Sequence, residues 1–122
     1  MNVLIVDDNT SVLNALEKKL ISNKHQVTCA ENGLAALSLV QDTQFDFIIT
    51  DYKMPFMDGI KLIENLLADI NIQPHQILLL STDTSQALEF KVNQLNVQCL
   101  AKPVSAEKVV ESMVHSYTFQ AA

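Results

Sequence analysis

Glycine and proline are scarce, two and three in 122 residues. That leaves no room for a flexible linker, a low-complexity tract or a collagen-like repeat, and no internal repeat is visible. Long apolar runs are missing too: "ILLL" at 77–80 is far short of the roughly 18 residues needed to span a bilayer. Positive charge is in deficit. Eight basic side chains against 14 acidic ones leave a formal charge of −6, which argues against non-specific binding to nucleic acid or anionic lipid. "MNVLIVDDN" has no basic stretch and meets acid at Asp7, unlike a signal peptide. Met1 leading directly into an apolar run reads as a natural N-terminus. A soluble cytoplasmic domain is the default expectation.

Only two cysteines occur. Cys29 and Cys99 lie too far apart, with no companion ligands, to suggest a metal pair. Their settings ("QVTCA", "VQCLA") suggest buried, reduced thiols. His25, His75 and His115 are scattered among polar neighbours and read as surface residues.

What is present is ample material for a core. Hydrophobic residues make up 48% of the chain, enough for a single domain over 1–122 without a disulfide or metal staple. Five short runs read as buried strands: "NVLIV" (2–6), "QVTCA" (26–30), "FDFIIT" (45–50), "QILLLS" (76–81) and "VQCLA" (97–101). Helical spacing fills the gaps at 10–22, 33–42, 58–70, 84–95 and 105–117. Val12, Leu13, Leu16 and Leu20 make one apolar stripe; Ile60, Ile63, Leu67 and Ile70 make another. Ala36, Leu37 and Val40 form a weaker one. Ala87, Leu88, Val92 and Leu95, then Val109, Val110, Met113, Val114 and Tyr117, complete the set. Each stripe reads as core packing. Strict alternation predicts a parallel sheet with helices on both faces and right-handed crossovers. The commonest five-strand doubly wound order is 2-1-3-4-5, with ligands beyond the carboxyl ends of the strands.

At those ends stand polar groups. The first strand runs into Asp7 and Asp8, the third into Asp51, the fourth ends at Ser81, and the fifth leads to Lys102 and Pro103. Singly, such residues are helix caps and turn formers. Together, on one rim, they point to chemistry. Three carboxylates from neighbouring strands repel unless a cation compensates them. Mg²⁺ suits one or two carboxylates plus waters and a phosphate oxygen. Lys102 adds a point charge for an anion and Ser81 a hydroxyl, a set matched to phosphoryl transfer through an aspartyl-phosphate.

With "VLIVDDN", "ENGLAAL", "DFIITDYKMPFMDG", "ILLLST" and "CLAKP" in order, the chain resembles the receiver domains of two-component response regulators over roughly residues 2–116. The resemblance implies a flavodoxin-like (βα)5 fold and a phosphoacceptor signalling domain rather than a turnover enzyme. Asp51 would take a phosphoryl group from the phosphohistidine of a sensor kinase or phosphotransfer protein. Asp8 would hold Mg²⁺ directly and Asp7 through water, with the carbonyl of Lys53 as a further ligand. Lys102 would pair with the phosphoryl group, Ser81 would be the switch hydroxyl, and the Lys102–Pro103 bond would be cis. Phosphorylation would alter the surface offered to a downstream protein or an output domain.

Two departures from the family pattern stand out. Cys99 occupies the place of a strand-5 aromatic, and Thr82 replaces a usual alanine, which is expected to narrow access to the site. The alternative function is a phosphorylation-independent pseudo-receiver, a binding module. A flavin protein would want a Ser/Thr/Gly-rich phosphate loop where "DDNTSV" stands, and an aspartyl-phosphate phosphatase would want a cap region. Lys53 and Asp83 are expected to pair across the site's mouth. Cys29 and Cys99, on opposite sheet edges about 19 Å apart, are beyond the roughly 7 Å between α-carbons that a disulfide requires.

Overall fold

The computed structural model describes residues 1–69 and 71–121, the last three by backbone alone. Strands β1 (Asn2–Val6), β2 (Gln26–Ala30), β3 (Phe47–Asp51), β4 (Ile77–Ser81) and β5 (Gln98–Ala101) alternate with helices α1 (Thr10–Ser22), α2 (Gly33–Asp42), α3 (Gly59–Leu67), α4 (Gln86–Leu95) and α5 (Ala106–Ala121). All strand pairs are parallel, in the order β2-β1-β3-β4-β5. This is the doubly wound topology expected from the alternation of patterns.

The central strands β1, β3 and β4 are apolar on both faces because both faces are covered. Leu4, Val6, Ile48, Ile77 and Leu79 meet side chains of α2, α3 and α4, among them Ala36, Ile63 and Leu88. Val3, Ile5, Phe47, Ile49 and Leu78 meet Leu13, Leu16 and Leu20 of α1 and Val109, Val110 and Met113 of α5. Burying each such aliphatic side chain contributes about 1.5–3 kcal/mol. Two residues of the expected stripes do not join the core: Ala87 and Val114 are exposed. On α3, Leu62 and Leu66 are buried beside Ile60 and Ile63, while Ile70 lies outside the described residues.

Helix starts are set by side-chain caps. Asn9 accepts hydrogen bonds from the Ser11 and Val12 amides, Asn32 from Ala35, Asp58 from Lys61, and Ser85 from Leu88. Capping satisfies amides that have no partner inside the helix. It explains why α3 begins at Gly59 and α4 at Gln86 rather than at 58 and 84. A short 3-10 turn, Pro74–Gln76, precedes β4 and carries a reciprocal cap between Gln73 and Gln76. Among the described residues no helix is long and apolar enough to cross a membrane.

Candidate functional site

Register brings the polar strand ends together. Val6 pairs with Thr50, Asp51 with Leu80, and Ser81 with Ala101. The ladder then continues beyond the strands. The amide of Asp7 donates to the Ala30 carbonyl (3.1 Å), Tyr52 to Leu80 (2.9 Å), and Lys102 to Ser81 (2.8 Å). Asp7, Asp51 and Lys102 thus project from, or directly beside, a backbone fixed by a cross-strand hydrogen bond.

Carboxylate oxygens of Asp7, Asp8 and Asp51 all lie within 4.8 Å of one another. The side chains of Asp7 and Asp51 are 2% and 11% exposed, whereas Asp8 faces solvent. Asp51 is therefore recessed at the floor of the site, not displayed on its rim as its place at a strand end suggests. Lys102 Nζ bridges the two buried acids, 3.2 Å from Asp7 Oδ2 and 3.1 Å from Asp51 Oδ1. The other Asp7 oxygen accepts the Asn9 amide at 2.9 Å.

The electrostatics follow from two acids sharing one ammonium. Burial and the charge of Asp7 push the Asp51 carboxyl above its ordinary pKa, although Lys102 and the Tyr52 amide pull the other way. Burial pulls Lys102 down, but the hydrogen bonds and charges of Asp51 and Asp7 outweigh it and hold the ammonium above its ordinary value. One cation satisfied twice and one carboxylate under-compensated is a site with capacity for further positive charge. These hard oxygen donors fit Mg²⁺ in type, and one or two of the three carboxylates suffice for it beside water.

Ser81 is buried, and its hydroxyl is held in the loop after β4. Its Oγ accepts the Asp83 amide at 2.9 Å and lies 3.1 Å from the Asp83 carbonyl oxygen, to which it donates. The Asp83 carboxylate in turn accepts the Ser85 amide at 2.7 Å, and Ser85 caps α4. A continuous chain of hydrogen bonds thus joins the Ser81 hydroxyl to a helix start.

Over the acids lies an open mouth of about 470 Å³ lined by Asp8, Tyr52, Lys53, Met54, Asp58 and Asp83. Lys53 and Asp83 do share it, but no ion pair joins them. The Asp83 carboxyl is lowered chiefly by its hydrogen bonds with Ser85, and Lys53 is the weakest contributor. Thr82 does not line this mouth; it borders a separate, more apolar groove with Val12, Leu16, Pro103 and Val104. The Lys102–Pro103 bond is cis.

Cys99 is half-buried in a groove of about 360 Å³ between α4 and β5, beside Leu88, Val92 and Val97. Burial raises its thiol pKa. Cys29 is pushed up to about 11 by burial and then by Glu17. Both thiols are free and stand on opposite edge strands. Of the three histidines only His115 is exposed; His25 and His75 are half-buried, with His25 Nδ1 3.0 Å from the Met1 ammonium.

Two further residues belong to the site. Asn9 fixes both Asp7 and the start of α1, and an Asn ahead of a helical stripe is a capping signal. Gly59 lies where a Cβ would strike the Asp51 carbonyl oxygen, Leu79 Cδ1 (2.7 Å) and Tyr52 Cα (2.9 Å). Its amide donates to the Tyr52 carbonyl at 2.7 Å, which explains the glycine soon after Asp51.

Three acids and a bridging lysine thus stand at the switch point of a doubly wound α/β sheet, where folds of this class hold their ligands. The chain belongs to the response regulator receiver domain family, whose pattern matches residues 3–114. It is 30% identical over 116 residues to the chemotaxis protein CheY-3 of Vibrio cholerae, covering 93% of this chain and 88% of that protein. It is 33% identical to the two-component response regulator ARR2 of Arabidopsis thaliana over 118 residues, 94% of this chain but 17% of ARR2. The solved structure of the chemotaxis response regulator CheY4 of Vibrio cholerae superposes with a TM-score of 0.85 at 28% identity, covering 94% of this chain and 97% of that one. For the receiver domain of the Francisella response regulator 1452 the values are 0.87 and 26%, with 98% of both chains covered.

Proposed function

We propose that this receiver domain accepts a phosphoryl group on Asp51 from a phosphohistidine of a sensor kinase or phosphotransfer protein. An Asp51 carboxylate oxygen attacks phosphorus, the N–P bond breaks, and the imidazole leaves and takes up a proton. The observation that carries this reading is the shared Lys102 bridge over Asp7 and Asp51, next to Asp8. Lys102 holds positive charge where phosphoryl oxygens arrive, and the walls of the mouth position the donor. Asp8, Asp51, the Lys53 carbonyl and, through water, Asp7 are the residues we assign to a Mg²⁺ ion. When bound, the ion supplies charge neutralisation for acids and phosphoryl oxygens.

Incubation with Mg²⁺ and phosphoramidate, followed by intact-mass measurement, is expected to show a single phosphoryl adduct. Asp51→Asn abolishes it, and equal labelling of that variant overturns the assignment. The pseudo-receiver alternative predicts no adduct on the unaltered chain.

The output of the switch runs through the hydrogen-bond chain Ser81–Asp83–Ser85 into α4. Turning the Ser81 hydroxyl toward a phosphoryl oxygen breaks its two contacts with the Asp83 backbone and loosens the loop that leads to the Ser85 cap of α4. Cys99 has no ring to relay the change along β5. Backbone NMR with and without beryllofluoride is expected to shift amides across 81–95 strongly and those of 97–101 weakly; the reverse pattern refutes this route. The recipient is a downstream protein or an output domain.

A further inference from the structure

Phe56 is anomalous twice over. The residue is 87% exposed, more than any other large hydrophobic among the described residues. Its backbone φ is +71°, in the left-handed region that a bulky non-glycine residue adopts at a cost in strain. A hydrogen bond from the Met57 amide to the Pro55 carbonyl, 2.8 Å, closes a tight three-residue turn around it. On one side Pro55 has a fixed φ, and on the other the Met57 side chain packs on the core. Asparagine or glycine would serve this turn better and expose less apolar surface. Stability does not explain the phenylalanine, and strain held at an exposed position points to function.

Its place on the chain identifies the occupant. Residues 52, 53, 54 and 58 of the same loop line the mouth above Asp51, and Asp51 itself is recessed. An imidazole side chain is short, so a phosphohistidine can deliver phosphorus to Asp51 only if the donor's backbone settles on the rim of that mouth. The loop that carries Phe56 is then covered by the donor.

We propose that Phe56 is an aromatic anchor for the phosphohistidine donor protein, seated in an apolar pocket beside the donor's histidine. This rests on the phosphoacceptor reading of Asp51 and specifies its partner's surface. A rigid, exposed aromatic loses little conformational freedom on binding and buries a large area, which is how interface hot spots act. The turn around Phe56 holds it ready for docking.

The test uses two donors on the same full chain. Phosphoramidate needs no docking surface. The protein donor is a purified histidine kinase, autophosphorylated with ATP and chosen from a panel as the one that labels the unaltered chain fastest. Phe56→Ala and Phe56→Asn are expected to be labelled by phosphoramidate at the unaltered rate. Their KM for the phosphorylated kinase is expected to rise about tenfold with kcat unchanged. Phe56→Asn should also raise Tm by about 3 °C by relaxing the turn. Unchanged KM with the kinase overturns the inference, as does an equal loss with both donors. So does concentration-dependent sedimentation of the unaltered chain that Phe56→Ala abolishes, which would make a second copy the occupant. Failure of phosphoramidate to label even the unaltered chain refutes the phosphoacceptor reading beneath it.

Discussion

Replacing Lys102 by methionine is expected to cost the fold about 3 kcal/mol near neutral pH, because it strands two buried carboxylates that now share one ammonium. The double variant Asp51→Asn, Lys102→Met leaves only one stranded acid. Removing the lysine in that background should cost at least about 1 kcal/mol less, a coupling that a urea-denaturation double-mutant cycle reads directly. The pH dependence has a definite sign. Asp51 has a folded-state pKa raised above its ordinary 3.8, so its ionised form weakens the fold. Stability from this group is highest at acid pH and falls as pH rises through that raised pKa. Lys102 is raised above 10.5, so its contribution is complete below that value and lost as pH climbs through the folded pKa. Without the lysine, Asp51 rises further. The deficit of Lys102→Met is therefore expected to shrink on acidification and to be largest across the neutral range. A cost that is equal in both backgrounds, or independent of pH, would show that the two acids are not balanced by Lys102.

Gly59→Ala is the second large effect expected, about 3 kcal/mol of destabilisation. The added methyl would overlap the Asp51 carbonyl oxygen, Leu79 Cδ1 and Tyr52 Cα. Two of these three are backbone atoms and cannot turn aside like a side chain. To relieve the clash, the start of α3 must back away from β3, loosening the Gly59–Tyr52 hydrogen bond that closes the loop after Asp51. Phosphoramidate labelling should slow along with the loss of stability. Asp58→Ala provides the comparison. It removes a helix cap and one acid of the mouth without adding a clash, costs about 1 kcal/mol, and leaves Asp51 in place. If Gly59→Ala matches it in both respects, the close approach is not what selects glycine.

Much of this was legible in the sequence because a parallel sheet covered on both faces writes itself as uninterrupted apolar runs. "NVLIV", "FIIT" and "ILLL" mark the three central strands, and the residue just after each run marks the rim. Cap chemistry was harder to read. The expected start of α4 at 84 came from apolar spacing. The hydrogen bonds of Asp83 and Ser85 instead hold those residues in the loop until 86. Ala87 fitted the stripe by spacing and proved exposed, since a small side chain carries little directional signal. The Lys53–Asp83 pair was inferred from opposite charge and equal offset from their strands. In the structure the Asp83 carboxylate turns to the Ser85 amide instead, and offset along the chain does not record where a side chain points. Recession of Asp51 could not be read either, because depth in a cleft depends on how far neighbouring loops rise, which no local pattern records.

The backbone ties at the strand ends carry an evolutionary implication. Amide-to-carbonyl bonds are indifferent to side-chain identity, so the frame that spaces Asp7, Asp51 and Lys102 does not depend on what the adjoining loops contain. Residues 53–57 and 82–84 can therefore diversify, or be transplanted from another receiver, with the two acids and the lysine left in register. One scaffold can thus carry different surfaces around an unchanged cluster of acids and lysine by rewriting two short loops.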